Sequence, residues 1–77
     1  IDVQLYPNPT NGQLKISVDG AQIERLHVMD LLGKTQLFIE KVQQEEFDFS
    51  LLPNGTYFVS LLLSNGQERM RPIVIQH

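Results

Sequence analysis

The side chains best suited to chemistry are two histidines, His27 and His77, and a thin set of carboxylates, Asp30, Asp48, Glu45 and Glu46. Histidine moves protons near neutral pH, but each of these stands alone. His27 lies between Leu26 and Val28 on the solvent-side parity of an alternating segment, and His77 is the last residue, so both read as surface residues. A zinc site needs further ligands at suitable spacing, and a nucleophilic triad needs a serine on a strained elbow with a base and an orienting acid. The sequence shows neither pattern. The acids could flank a glycosidic bond in principle, yet a sandwich this small is expected to have little room for a pocket of about 300 Å³ beside its core. Solvated strand faces and turns account for them, with Asp30 ahead of Gly33 and Asp19 ahead of Gly20. The chain has no cysteine, which removes disulfides, thiolate metal sites and cysteine nucleophiles together. No catalytic, metal-ligating or cofactor-binding residue is expected, and the expectation is a domain that acts by being bound.

Composition narrows the partners. Nine acids and six bases give a net charge of −3 spread thinly over 77 residues, which lacks the basic field that draws proteins to nucleic acid. Hydrophobic residues make up 42% of the chain and charged residues 19%, a globular balance, and no apolar run approaches the ~20 residues of a membrane span. A chain of this length supports one core. It opens on Ile1 without a basic region and apolar stretch, so residues 1–77 read as a single domain excised from a longer polypeptide.

The elements that must position any functional residue are short apolar alternations cut by turn residues, the pattern of sandwiches and barrels. Residues 3–6 form a first strand that ends in Pro7-Asn8-Pro9-Thr10-Asn11-Gly12, an ordered turn by its residue types. Residues 13–18 alternate with Leu14, Ile16 and Val18 on one face. Residues 25–30 and 35–39 flank Leu32-Gly33-Lys34 as a hairpin, and residues 46–50 alternate around Phe47 and Phe49. Residues 56–63 are the longest apolar stretch and read as the central strand, and the Ser64-Asn65-Gly66-Gln67 turn leads into residues 68–76. A short amphipathic helix over residues 23–32 is the main competitor. Seven short strands point to an all-β, immunoglobulin-like antiparallel β-sandwich. Gly55-Thr56-Tyr57 supports it, because sandwiches place a corner tyrosine there whose hydroxyl bonds back to the main chain.

Three features are left over. Phe58 and Leu62 lie on the parity opposite Tyr57, Val59, Leu61 and Leu63, so they are either covered by the rim of the partner sheet or by loops, or belong to an interaction surface. Arg69 and Arg71 make the last strand locally basic. Pro72 cannot donate to a ladder, which places this strand at an edge with one unpaired side.

Taken in order, the segments Tyr6-Pro7-Asn8-Pro9-Thr10-Asn11-Gly12-Gln13-Leu14-Lys15-Ile16, Val28-Met29-Asp30-Leu31-Leu32-Gly33-Lys34 and Leu52-Pro53-Asn54-Gly55-Thr56-Tyr57-Phe58-Val59 resemble the C-terminal sorting domains of type IX secretion. The likeness covers essentially the whole chain. It implies a non-catalytic C-terminal sorting signal. An attached cargo would cross the inner membrane, the folded domain would be recognised in the periplasm, and the outer-membrane machinery would deliver it to the cell surface or beyond. A sortase-like peptidase would then cut upstream of Ile1 or close to it. Pro7, Asn8, Pro9 and Gly12 carry the opening motif, Asp30, Gly33 and Lys34 the hairpin, and Gly55 and Tyr57 the motif before the central strand. In the last strand Gly66 matches the family, Arg71 stands where a lysine is expected, and Pro72 replaces an aliphatic residue. The recognition element implied is Gly66 with Arg69, Arg71, Ile73, Val74, Ile75 and Gln76, offered to a receptor by strand addition along 71–76.

The rival reading is an immunoglobulin-like or fibronectin-like module that binds glycan or protein on a surface protein, since sandwiches host many functions. Tyr6, Phe38 and Phe58 are its candidate platform residues, and the chain has no tryptophan.

Overall fold

The computed structural model describes residues 2–77, so a cleavage point upstream of Ile1 lies outside the described residues. Seven strands run in order β1 (Asp2–Tyr6), β2 (Gln13–Asp19), β3 (Ile23–Met29), β4 (Thr35–Glu40), β5 (Glu46–Asp48), β6 (Gly55–Leu63) and β7 (Glu68–Ile75). They form a three-stranded sheet, β1-β2-β5, and a four-stranded sheet, β4-β3-β6-β7, with every ladder antiparallel. The fold is the β-sandwich expected. The helical alternative over 23–32 is overturned, because residues 23–29 pair with both β4 and β6.

Alternation decides which face of each strand is inside. Leu14 and Ile16 from β2, Leu26 and Val28 from β3, Val59, Leu61 and Leu63 from β6, and Ile73 and Ile75 from β7 meet Val3, Phe47, Phe49 and Tyr57 in one buried cluster. The two phenylalanines stack with ring centroids 6.1 Å apart. Burying a side chain of this kind stabilises by roughly 1.5–3 kcal/mol relative to leaving it exposed, which is how so short a chain holds a fold.

Several strand ends differ from the sequence reading, each for a local reason. The strand expected over residues 25–30 ends at Met29, and Asp30 lies in the hairpin turn, in keeping with its place ahead of Gly33, where its carboxylate Oδ1 accepts from the N–H groups of Leu32 and Lys34, both at 2.9 Å. Strand β5 ends at Asp48 rather than at residue 50, because Asp48 Oδ1 takes the Ser50 N–H at 2.9 Å and turns the chain. Gln76 falls just beyond β7, its N–H donating to Thr10 C=O at 2.8 Å.

Phe58 and Leu62 lie on the outer face of the four-stranded sheet and are half-buried. They are shielded by same-face neighbours rather than by the second sheet: Phe58 stands between Met29 and Pro72, and Leu62 between Arg25 and Glu68. On the same face, His27 is half-buried, meets Phe38 edge-on at 5.5 Å and approaches Thr35 Oγ1 with Nε2 at 2.7 Å.

Candidate functional site: the motif-bearing end and the last strand

Antiparallel pairing gathers one set of strand ends at one pole. Tyr6 pairs beside Lys15, Gln13 with Asp48, Met29 with Phe58, and Gly55 with Ile75. The connections 7–12, 30–34 and 49–54 therefore leave from the same end as the last residues, and all three motifs sit there. At the opposite pole lie Asp2, paired with Asp19, and the 64–67 turn, joined to the 20–22 turn by Ser64 N–H to Gln22 C=O at 2.8 Å. Gly66 is at that far pole, away from every other motif residue.

The opening motif is built by its own polar side chains. Thr10, 2% exposed, accepts from Gly12 N–H at 3.0 Å and donates through Oγ1 to Gln13 C=O at 2.6 Å. Asn11 Oδ1 takes the Gln13 N–H at 3.2 Å. The peptide bonds before Pro7 and Pro9 are cis. Gly12 has φ +120°, and a Cβ there would lie 2.6 Å from Ser50 Cα, so only glycine lets this loop touch the 49–54 connection. The contact is sealed by Phe49 N–H to Gly12 C=O at 2.7 Å. In the hairpin, Gly33 N–H donates to Asp30 C=O at 3.0 Å, and Gln36 Nε2 reaches Asp30 Oδ2 at 3.2 Å. Lys34 is exposed beside it. The corner tyrosine is as expected, with Tyr57 Oη donating to Pro53 C=O at 2.6 Å.

These loops fasten the end of the chain. Asn8 Nδ2 donates to Pro72 C=O at 3.1 Å, and Asn8 Oδ1 accepts the Val74 N–H at 3.0 Å. Thr10 then forms a parallel bridge beside Ile75 through Thr10 N–H to Val74 C=O and Gln76 N–H to Thr10 C=O, both 2.8 Å. His77 is exposed yet tied down: its N–H reaches Asn54 Oδ1 at 2.8 Å, Nδ1 lies 3.1 Å from Asn11 C=O, and Nε2 lies 2.7 Å from Leu52 C=O. A neutral ring donates to one of these carbonyls at a time.

The candidate recognition residues fall into separate environments. Ile73 and Ile75 are fully buried in the core, while Val74 is half-buried and Gln76 exposed. Arg69 and Arg71 share the inward parity of Ile73 and Ile75, stand opposite the core residues Leu61 and Val59 on the edge strand and are half-buried, and their guanidinium groups curl back onto Glu68 C=O and Met70 C=O, each at 2.9 Å. Strand β7 is an edge strand, as Pro72 indicated. The expected unpaired side is corrected in one respect: from Pro72 to Gln76 it is occupied by Asn8 and Thr10. No sequence signal marked Asn8 and Thr10 as partners of residues more than 60 positions away.

Tyr6 is 42% exposed and Lys15 Nζ lies 6.0 Å from its ring centre. Leu32 and Leu51 stand almost fully in solvent on the tips of their loops, at 94% and 98% exposure. Ser50, through its hydroxyl and then its N–H, holds the Asp48 carboxyl below the usual carboxylate range, and Gln13 adds to the effect. No three His, Asp or Glu side chains gather to suit a metal among the described residues. A groove of about 330 Å³ opens near the other pole, where residues 41–45 stand off β2; Glu45 is the one titratable residue in its lining, which also includes Ile16, Val18 and Val42. The expectation that so small a sandwich lacks a space of this size is corrected, because β5 spans three residues and pairs only with Gln13, Leu14 and Lys15, leaving the rest of β2 paired with β1 on one side and without a strand on the other.

The family described as "Secretion system C-terminal sorting domain" matches residues 4–76. No curated protein matches the chain. The chain belongs to the secretion system C-terminal sorting domain family. It is a type IX secretion sorting signal, which implies interaction with that machinery and export to the cell surface or extracellular space. Membership suggests a non-catalytic role, and among the described residues no helix is long and apolar enough to cross a membrane.

Proposed function

We propose that this domain is a folded address at the C-terminus of an exported cargo, read in the periplasm and then removed by a sortase-like peptidase that cuts upstream of Ile1 or close to it. The observation that carries the reading is the convergence of all three motif loops on the pole that also fastens residues 74–77. Cargo would join at the opposite pole, where β1 begins, so a receptor could engage the motif-bearing end while the cargo trails behind. Gly66, Arg69, Arg71, Ile73, Val74, Ile75 and Gln76 are the proposed recognition segment. Within it, the receptor would touch Arg69, Arg71, Val74 and Gln76, while Ile73 and Ile75 hold the strand in place from inside the core. The arginines supply charge steering in an acidic domain.

The test appends residues 1–77 to a periplasmic reporter in a host that carries the secretion machinery. Surface arrival is expected, followed by loss of the domain from the delivered reporter. Removing residues 73–77 deletes two core side chains, so loss of export in that variant would report unfolding as readily as lost recognition. Arg69→Glu with Arg71→Glu is the cleaner perturbation, expected to leave the fold intact and reduce delivery. Full delivery by that folded double variant would remove the arginines from the recognition segment. Failure of the intact fusion to reach the surface, together with specific retention on a glycan array, would favour the binding-module reading instead.

A further inference from the structure

The outer edge of β7 can be followed group by group. In an antiparallel strand, main-chain groups face alternately toward one neighbour and the other. Both main-chain groups of Val74 are taken by the opening loop, so the even-numbered residues of β7 face outward and the odd-numbered ones face β6. Along that outward row, Glu68 C=O accepts from Arg69 and Met70 C=O from Arg71. Pro72 has no N–H to offer. Pro72 C=O and Val74 N–H are both held by the side-chain amide of Asn8, and Val74 C=O and Gln76 N–H are both held by the main chain of Thr10. Between Glu68 C=O and Gln76 N–H, only the Met70 N–H lacks a partner among the described residues. A primary amide carries its donor and acceptor side by side, much as a peptide group does, so Asn8 supplies the pair of bonds that a neighbouring strand would make there.

Exposed strand edges are templates for pairing with another chain, and proteins blunt them with prolines, charges and covering loops. This edge uses all three. We propose that residues 7–10 form a strap that autoinhibits β7: the last strand cannot accept the strand of a second copy of this chain until the strap moves aside, and Asn8 is its latch. An incoming strand would replace the Asn8 and Thr10 bonds with equivalent main-chain bonds, so opening exchanges partners rather than leaving groups unpaired. The inference stands on this geometry alone and not on the export reading.

Hydrogen exchange of the domain, followed amide by amide, tests it. In the parent protein Val74 and Gln76 should be protected although they face away from β6. Asn8→Ala should speed Val74 exchange roughly tenfold, the equivalent of about 1.4 kcal/mol, while Ile73 and Ile75, which face β6, keep the parental rate. Asn8→Asp keeps an acceptor for Val74 and loses the donor to Pro72, so it should fall between the two. In a concentration series, sedimentation of Asn8→Ala should show self-association that the parent lacks, and adding Val74→Pro, which removes an outward N–H while sparing the β6 ladder, should abolish it. Unchanged Val74 exchange in Asn8→Ala, an equal rise at Ile73 and Ile75, or a variant as monomeric as the parent throughout would overturn the strap.

Discussion

Replacing Gly12 by alanine asks the most of the motif-bearing end, and its effect follows from two separable terms. The first is conformational: φ +120° is foreign to an L side chain, and holding a residue in such a region costs about 1–3 kcal/mol. The second is steric. The new Cβ would meet Ser50 Cα at 2.6 Å, Ser50 N at 2.9 Å and Ser50 Cβ at 2.9 Å, whereas carbon atoms rest at roughly 3.5–4.0 Å. Two of these atoms are main chain, so no rotamer change relieves the contact. The loops must part, which stretches the Phe49 to Gly12 bond of 2.7 Å and disturbs Phe49, 2% exposed in the core. Losing that bond adds about 0.5–1.5 kcal/mol, and the stiffer unfolded chain returns about 0.4–1 kcal/mol. A net loss of about 2–4 kcal/mol is expected, a large share of the ~4–12 kcal/mol that a domain of this length can have. Gly33→Ala is the internal control: φ is +81° but a Cβ meets nothing within 4 Å, so the clash is absent and strain, offset by the same gain from the stiffer unfolded chain, leaves about 1 kcal/mol. Urea unfolding at matched slopes should place the Gly12→Ala midpoint about 1 M or more below that of Gly33→Ala. Equal midpoints would refute the steric argument, and with it the idea that the opening motif is shaped by its contact with the 49–54 connection.

Tyr57→Phe keeps the ring in the core and deletes the 2.6 Å bond to Pro53 C=O, so it should cost about 1 kcal/mol, a fall in Tm of roughly 4–8 °C for a domain of this size; calorimetry reads it directly. Asp30→Ala strips the acceptor from the N–H groups of Leu32 and Lys34; water replaces it in part, leaving a loss of about 0.5–1.5 kcal/mol and faster exchange of the Lys34 amide. The Asp48 carboxyl is held below its ordinary value of 3.8 by Ser50 and Gln13. Its folded form therefore favours the charged state, and the stability it adds is present above the unfolded value and lost as pH falls through the lowered folded one. Asp48→Asn should flatten that acid limb in chemical unfolding curves collected from neutral pH down, and an unaltered limb would show that the Ser50 contacts do not matter to it.

Local chemistry made much of this fold legible. Alternation in 13–18 and 56–63 marked which residues face inward, and the Asn-Gly and Pro-Asn-Gly clusters marked where strands stop, because those signals depend on near neighbours alone. The corner tyrosine was legible for the same reason, its partner lying four positions away. Legibility failed where partners are remote. The sequence places Arg69 and Arg71 on a basic edge but does not show that each curls onto the carbonyl before it. It gives Pro72 an outer position, yet nothing near Pro72 indicates that Asn8 will cover its carbonyl. The groove beneath residues 41–45 was missed because it follows from the shortness of β5, and strand ends are set by which neighbour happens to offer a bond.

The last strand belongs to the core on one face and to the motif-bearing end on its edge, and this would join the proposed recognition to folding. Ile73 and Ile75 are fully buried against side chains from both sheets, so β7 is in place only when the sandwich has closed. Once there, it gives the opening loop the groups that Asn8 and Thr10 bind, across separations of 64 to 66 residues. Contacts of such long range come at a loop-closure cost that is recovered only when the intervening strands have already paired. The opening loop and the last strand are therefore expected to reach their final arrangement together, late and cooperatively. A chain missing its final strand, or unable to fold it, would lack the terminal residues and also the anchored form of the loop that carries Pro7, Asn8 and Pro9. A receptor that reads this end accordingly reads the completeness of the domain, because none of its parts holds that geometry alone.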